Sequence, residues 1–275
     1  RSAEIGGENV FDFSIGNPSV PAPDCVNESI CRIVKETPSV QLHGYTSAQG
    51  DKACRDKIAE NYNARFGASL SGDDLYLTCG AAACLTISVH ALACAGDEFL
   101  AFAPYFAEYR VFVEGAGCKF TPVPAEDKTF QPDFEALERA LNPQVKGVIV
   151  NSPNNPSGVV YGEKTIERLA ELLKRKSKEY GHPIYLISDE PYREIVYDGV
   201  QVPFTIKRRK FPVSSIITTI RSSAIPTPNP FPCRARESAI SRWDPKQPIL
   251  RLYMRLYAAR GASSGSCAPP RCFSA

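Results

Sequence analysis

Short apolar runs that alternate with longer amphipathic stretches constrain this chain more than any other feature. The runs lie at residues 75–78, 98–103, 119–123, 147–150 and 184–187, and amphipathic stretches occupy 133–141 and 163–180. Runs of four to six apolar residues suit strands buried on both faces, and the stretches between them suit helical crossovers. That alternation predicts an α/β fold with a largely parallel sheet covered by helices. Cys54, Ile58, Tyr62 and Phe66 recur every four residues, marking a helical face that Gly67 can end. The run at 75–78 leads into Gly80, Ala81, Ala82 and Ala83, which open an apolar helix through about Ala95. Residues before about Gly44 are Pro-rich and irregular, and are expected to form an arm or a piece of a second domain (1–43), with the main domain at 44–204.

The order breaks near Phe204. From Thr205 onward ten Arg and three Lys face only Glu237 and Asp244, a net +11, whereas the preceding part carries 19 basic and 28 acidic residues, a net −9. Pro226, Pro228, Pro230 and Pro232 alternate with small or polar residues, and only 249–259 has a helical stripe. Such a segment buries too little apolar surface to offset its ordering entropy, so 205–275 is expected to be disordered. The chain shows no signal pattern and no apolar run that could span a bilayer. Its ten cysteines lack framework spacing; Cys54, Cys79, Cys84 and Cys94 fall in apolar periodic segments, as small core residues would. A reduced, cytoplasmic protein is the expectation, with no metal site, no membrane and no nucleic-acid partner. A basic, Pro-rich tail could bind nucleic acid, but no groove-reading motif accompanies it.

Two polar motifs stand at predicted strand ends. Asn151-Ser152-Pro153-Asn154-Asn155-Pro156-Ser157-Gly158 follows one apolar run, and Ser188-Asp189-Glu190-Pro191-Tyr192-Arg193 follows another. Open α/β sheets bind ligands at the carboxyl ends of their strands. A carboxylate at Asp189 could keep a pyridine nitrogen protonated, while Tyr192 and Asn155 could reach a phenolic oxygen on the same ring. Gly80, Ala81 and Ala82 at a strand-to-helix junction offer backbone N–H groups to a phosphate. Phe106 could stack on the ring. Capping by Asp189, a turn at Asn155-Pro156, tight packing at Gly80 and a core aromatic at Phe106 are the simpler alternatives for each residue alone.

In combination these motifs resemble the class I/II pyridoxal-phosphate-dependent aminotransferases of fold type I, over roughly residues 11–204. Phe13-Ser14-Ile15-Gly16-Asn17-Pro18 is similar to the family's N-terminal segment, whose glycine, here Gly16, lies beside the substrate carboxylate. Gly44-Tyr45-Thr46-Ser47-Ala48-Gln49-Gly50 resembles the loop whose tyrosine, here Tyr45, reaches the cofactor phosphate of a partner subunit. The resemblance implies pyridoxal 5'-phosphate as cofactor, held by Gly80, Ala81, Ala82, Phe106, Asn155, Asp189, Tyr192 and Tyr45. It also implies a homodimer, amino acid and 2-oxo acid substrates, and a three-layer large domain that is incomplete here, with the C-terminal small domain missing. A C–S lyase of the same fold and a non-catalytic fragment with a basic tail are the alternatives.

The family's Schiff-base lysine, expected in a Ser-Lys-Ser segment a few tens of residues after Tyr192, is absent, so no catalytic residue is assigned. Lys207 and Lys210 lie in that window without the context. A one-base shift of frame accounts for the absence. Taking the last base of each codon with the first two of the next, from Ser223 onward, permits Cys-Tyr-Ser-Tyr-Ser-Lys-Ser-Leu-Ser-Leu-Pro-Gly-Glu-Arg-Ile-Gly-Tyr, with the lysine at the Pro228/Asn229 junction. Residues 267–273 likewise permit Cys-Ala-Pro-Ala-Leu-Phe. Two of three bases are set at most junctions, so the expectation is a frame slip between Phe204 and Ser214 and an inactive chain.

Overall fold

The computed structural model describes residues 21–205, 216–220 and 240–242. The chain divides into two compact units, with described residues 21–45 in one and the rest in the other. The smaller unit holds α1 (Asp24–Glu36) and α2 (Ser39–His43). The sequence reading expected irregular chain there. The difference comes from Pro23, which stands at the N-cap position with φ −55°, followed by Asp24 in the first turn. Val26, Ile30 and Ile33 then recur at helical spacing.

The larger unit is built on five parallel strands in the order β3-β2-β4-β5-β6: β2 (Glu98–Phe102), β3 (Lys119–Val123), β4 (Val145–Asn151), β5 (Tyr185–Glu190) and β6 (Ile216–Ile220). β2 and β5 are buried along their whole length, which is why they appear in the sequence as continuous apolar runs. Their side chains still alternate between two cores. Leu100, Val148, Val150 and Leu186 pack under α6 (Phe134–Ala140) and α7 (Glu163–Tyr180), against Leu137, Leu169 and Leu173. Phe99, Ala101, Ile149 and Ile187 pack on the other face under α4 (Ala81–Leu92) and α5 (Glu108–Gly115), against Leu85, Val89, Tyr109 and Val113. The result is the expected three-layer arrangement. Gly147 has no room for a side chain, since a Cβ there would lie 2.8 Å from Phe99 Cε1.

Local signals set the element ends. Asp51 and Asp133 accept hydrogen bonds from Cys54 N and Ala136 N, capping α3 (Lys52–Phe66) and α6. Gly67 (φ 61°) and Gly181 (φ 75°) end α3 and α7 in the left-handed region, where a Cβ is strained. A third apolar cluster joins Ile58 and Tyr62 of α3 to Leu75 and Phe204.

Three further sequence expectations need correction, and one helix was not expected at all. β1 (Leu75–Leu77) stands outside the parallel sheet, paired antiparallel with β7 (Ile240–Arg242). α5 was not foreseen, because it spans only two turns. The tail expected to be without structure contains β6, whose backbone pairs from Leu186↔Ile216 to Glu190↔Ile220, and β7. The edge of β5 offers N–H and C=O groups that the backbone of β6 pairs. Finally, Cys79 and Cys94 are exposed, in the turn after β1 and the loop after α4; Cys54 is half-buried and only Cys84 of the four is buried. The stripe at 249–259 lies outside the described residues. Among those residues no helix is long and apolar enough to cross a membrane, and no cluster of acidic, Cys and His groups could hold a metal.

Candidate active site

In the strand order, β2 connects outward to β3 on one side while β4 lies on its other side, and ligand crevices form at such a reversal. An open cavity of about 230 Å³ lies there, at the carboxyl ends of β4 and β5 and over the N-terminus of α4. Gly80, Ala81, Ala82, Phe106, Asn155, Asp189 and Tyr192 all line it. Seven residues drawn from four separate stretches of chain thus meet in one concavity. Tyr45 belongs to the smaller unit, where its ring is fully exposed, and Gly16 lies outside the described residues.

Each side chain is positioned by its element. Gly80 turns the chain into α4 with φ 100°, and no side chain caps the helix, so its first-turn N–H groups face outward. Asp189 is 4% exposed at the end of β5, and its Oδ2 accepts a 2.5 Å hydrogen bond from Tyr109 Oη of α5. Burial first, and then the Asp189 charge, hold the Tyr109 phenol well above its usual range. Tyr109 therefore stays a donor. Its ring also meets the Phe106 ring edge-on at 5.6 Å, which steadies Phe106 at the cavity wall.

The loop after β4 is tied to β5. Asn151 Nδ2 donates to the Asp189 carbonyl at 2.9 Å, and Asn155 N donates to Asn151 Oδ1 at 2.6 Å. Asn155 Nδ2 in turn donates to Tyr192 Oη at 3.2 Å. With that bond made, the Tyr192 hydroxyl hydrogen is left to point into the cavity.

Behind Tyr192 lies a buried ion pair. Arg193 Nε donates to Glu190 Oε2 at 2.7 Å, and the guanidinium also donates to the carbonyls of Val202 and Pro203. Its cation lies beside the stacked rings of Phe66 and Phe204, 5.2 and 5.1 Å from their centroids. Ser188 and Thr205 hydroxyls satisfy the other Glu190 oxygen. The turn carrying Tyr192 is clamped from below. Sequence reasoning missed Tyr109, Asn151 and Arg193 as supports of the site. Asn151 and Arg193 stand inside the quoted motifs, but nothing local marks Tyr109.

The family profile described as aminotransferase class I and II matches residues 8–218. Among relatives, the aspartate aminotransferase of Thermotoga maritima is 34% identical over 192 residues, covering 70% of this chain and 48% of that protein. The arginine–pyruvate transaminase of Pseudomonas aeruginosa is 30% identical over 202 residues, covering 71% and 48%. A solved amino transferase from Eubacterium rectale is 46% identical with a TM-score of 0.80, covering 95% of this chain and 64% of that one. The chain spans about half the length of the curated relatives it matches. On the profile match and these likenesses, the chain belongs to the class I and II aminotransferase family.

Proposed function

We propose that the cavity is a pyridoxal 5'-phosphate site built for amino-group transfer between an amino acid and a 2-oxo acid. The observation that carries this reading is the convergence of an uncapped helix N-terminus, an aromatic wall and a buried carboxylate in one cavity. These groups fit the cofactor. The α4 N-terminus at Gly80, Ala81 and Ala82 would hold its phosphate, Phe106 would stack on its ring, and Asp189 would hold a proton at the ring nitrogen. Tyr192, its hydroxyl oxygen occupied by Asn155, would donate to the ring oxygen. When bound, the cofactor supplies a protonated ring that withdraws electrons from the substrate's α-carbon. A homodimer is part of the proposal, since the exposed Tyr45 is available to a second copy.

We further propose that the chain as written holds the cofactor without a covalent lysine and does not transaminate. Lys207 and Lys210 lack the family's context, and the profile match ends at residue 218, before the alternating prolines. A frame slip between the codons of Phe204 and Ser214 accounts for the missing lysine context.

Titration of the protein with pyridoxal 5'-phosphate, followed by cofactor fluorescence, tests the site. Binding is expected, weakened at least tenfold by D189A, which removes the partner of the ring nitrogen. Equal affinity in D189A would overturn the reading. Borohydride treatment followed by peptide mass spectrometry is expected to show no pyridoxyl group on Lys207 or Lys210, and an adduct at either would overturn the second proposal. Resequencing across those codons tests the frame directly, and an intact frame there would sink that account.

A further inference from the structure

We infer that Glu108 selects the substrate's side chain, and that the site prefers amino acids carrying a cationic side chain over acidic ones. This rests on the cofactor reading given above. Glu108 is the first residue of α5, two positions after Phe106, and lines the same cavity. It is exposed and makes no hydrogen bond or ion pair among the described residues. The described lining holds two carboxylates, Glu108 and Asp189, and no Lys, Arg or His. Asp189 is buried and already engaged by Tyr109. Glu108 is therefore the charge left to face an incoming side chain. A first-turn carboxylate also interacts favourably with the N-terminal end of its helix, and that role is compatible with facing the cavity.

Charge at such a position acts in both directions. A substrate guanidinium or ammonium gains an ion pair, while a substrate carboxylate meets repulsion and loses hydration without a partner. For a partly solvated pair the effect is a few-fold, about fivefold in affinity, and it is screened by salt.

The test uses the full chain and stable reduced conjugates in which a phosphopyridoxyl group is linked to the nitrogen of L-arginine, L-norleucine or L-aspartate. None of these requires a covalent lysine. Dissociation constants are measured by fluorescence at low and high salt. The arginine conjugate is expected to bind about fivefold more tightly than the norleucine conjugate, and the aspartate conjugate about fivefold more weakly. Glu108→Gln should collapse the three affinities to within about twofold, and Glu108→Lys should invert their order. Binding of all three without discrimination, or an unchanged order in both variants, overturns the role of Glu108 and leaves the cofactor reading standing. Failure of every conjugate and of free pyridoxal 5'-phosphate to bind overturns both.

Discussion

Tyr109 Oη donates a 2.5 Å hydrogen bond to Asp189 Oδ2 across 80 residues of sequence. The bond joins α5 to the end of β5 and fixes the carboxylate at the floor of the cavity. Y109F keeps the ring and removes a donor to a charged, buried acceptor. A loss of about 1–3 kcal/mol in urea-induced unfolding is expected, together with weaker pyridoxal phosphate binding. Wild-type stability in the variant would show that the bond is not formed in solution.

Arg193 and Glu190 form a second buried pair, with the guanidinium beside the stacked rings of Phe66 and Phe204. R193M leaves the Glu190 charge buried with only hydroxyl partners, at a cost of about 3–5 kcal/mol. The double variant E190Q/R193M removes the stranded charge and should recover part of that loss, because a buried pair contributes little beyond satisfying itself. Thermal unfolding of the two single variants and the double variant measures this, and additive losses would contradict it.

Gly147 in β4 faces Phe99, with a built Cβ 2.8 Å from Cε1, 2.9 Å from Cδ1 and 3.3 Å from the Tyr185 carbonyl oxygen. G147A must push an aromatic ring that is fully buried and tightly packed. Overpacking of this kind costs about 1–3 kcal/mol. The pair G147A/F99L, which opens the space, should be less destabilised than the sum of its parts when denaturation midpoints are compared.

Burial pushes the Tyr161 phenol up to about 12. In the unfolded chain a tyrosine ionises near its ordinary value of about 10, so between those two pH values the unfolded state binds fewer protons than the folded one. Stability from this group is complete below about pH 10 and is lost as pH rises toward 12. Y161F should reduce the alkaline slope of stability by up to about 1.4 kcal/mol per pH unit. Chemical denaturation at a series of alkaline pH values checks this, and identical slopes in both proteins would refute it.

The sequence by itself determined the layered α/β class, the position of nearly every strand and helix between residues 52 and 190, and the polar groups at the ends of β4 and β5. Those features depend on local chemistry. Asp51 and Asp133 cap helices, Gly67 and Gly181 end them, and strands buried on both faces are apolar throughout. Only the tertiary structure decided that Tyr109 grips Asp189, that Arg193 lies beside the stacked rings of Phe66 and Phe204, and that Glu108 shares a wall with Phe106. It also decided that β1 leaves the parallel sheet for an antiparallel partner. Periodicity records which side of an element is buried but not what it is buried against. Strand order sets those partners, and the order β3-β2-β4-β5-β6 emerges only when strands far apart in the chain compete for each other's edges.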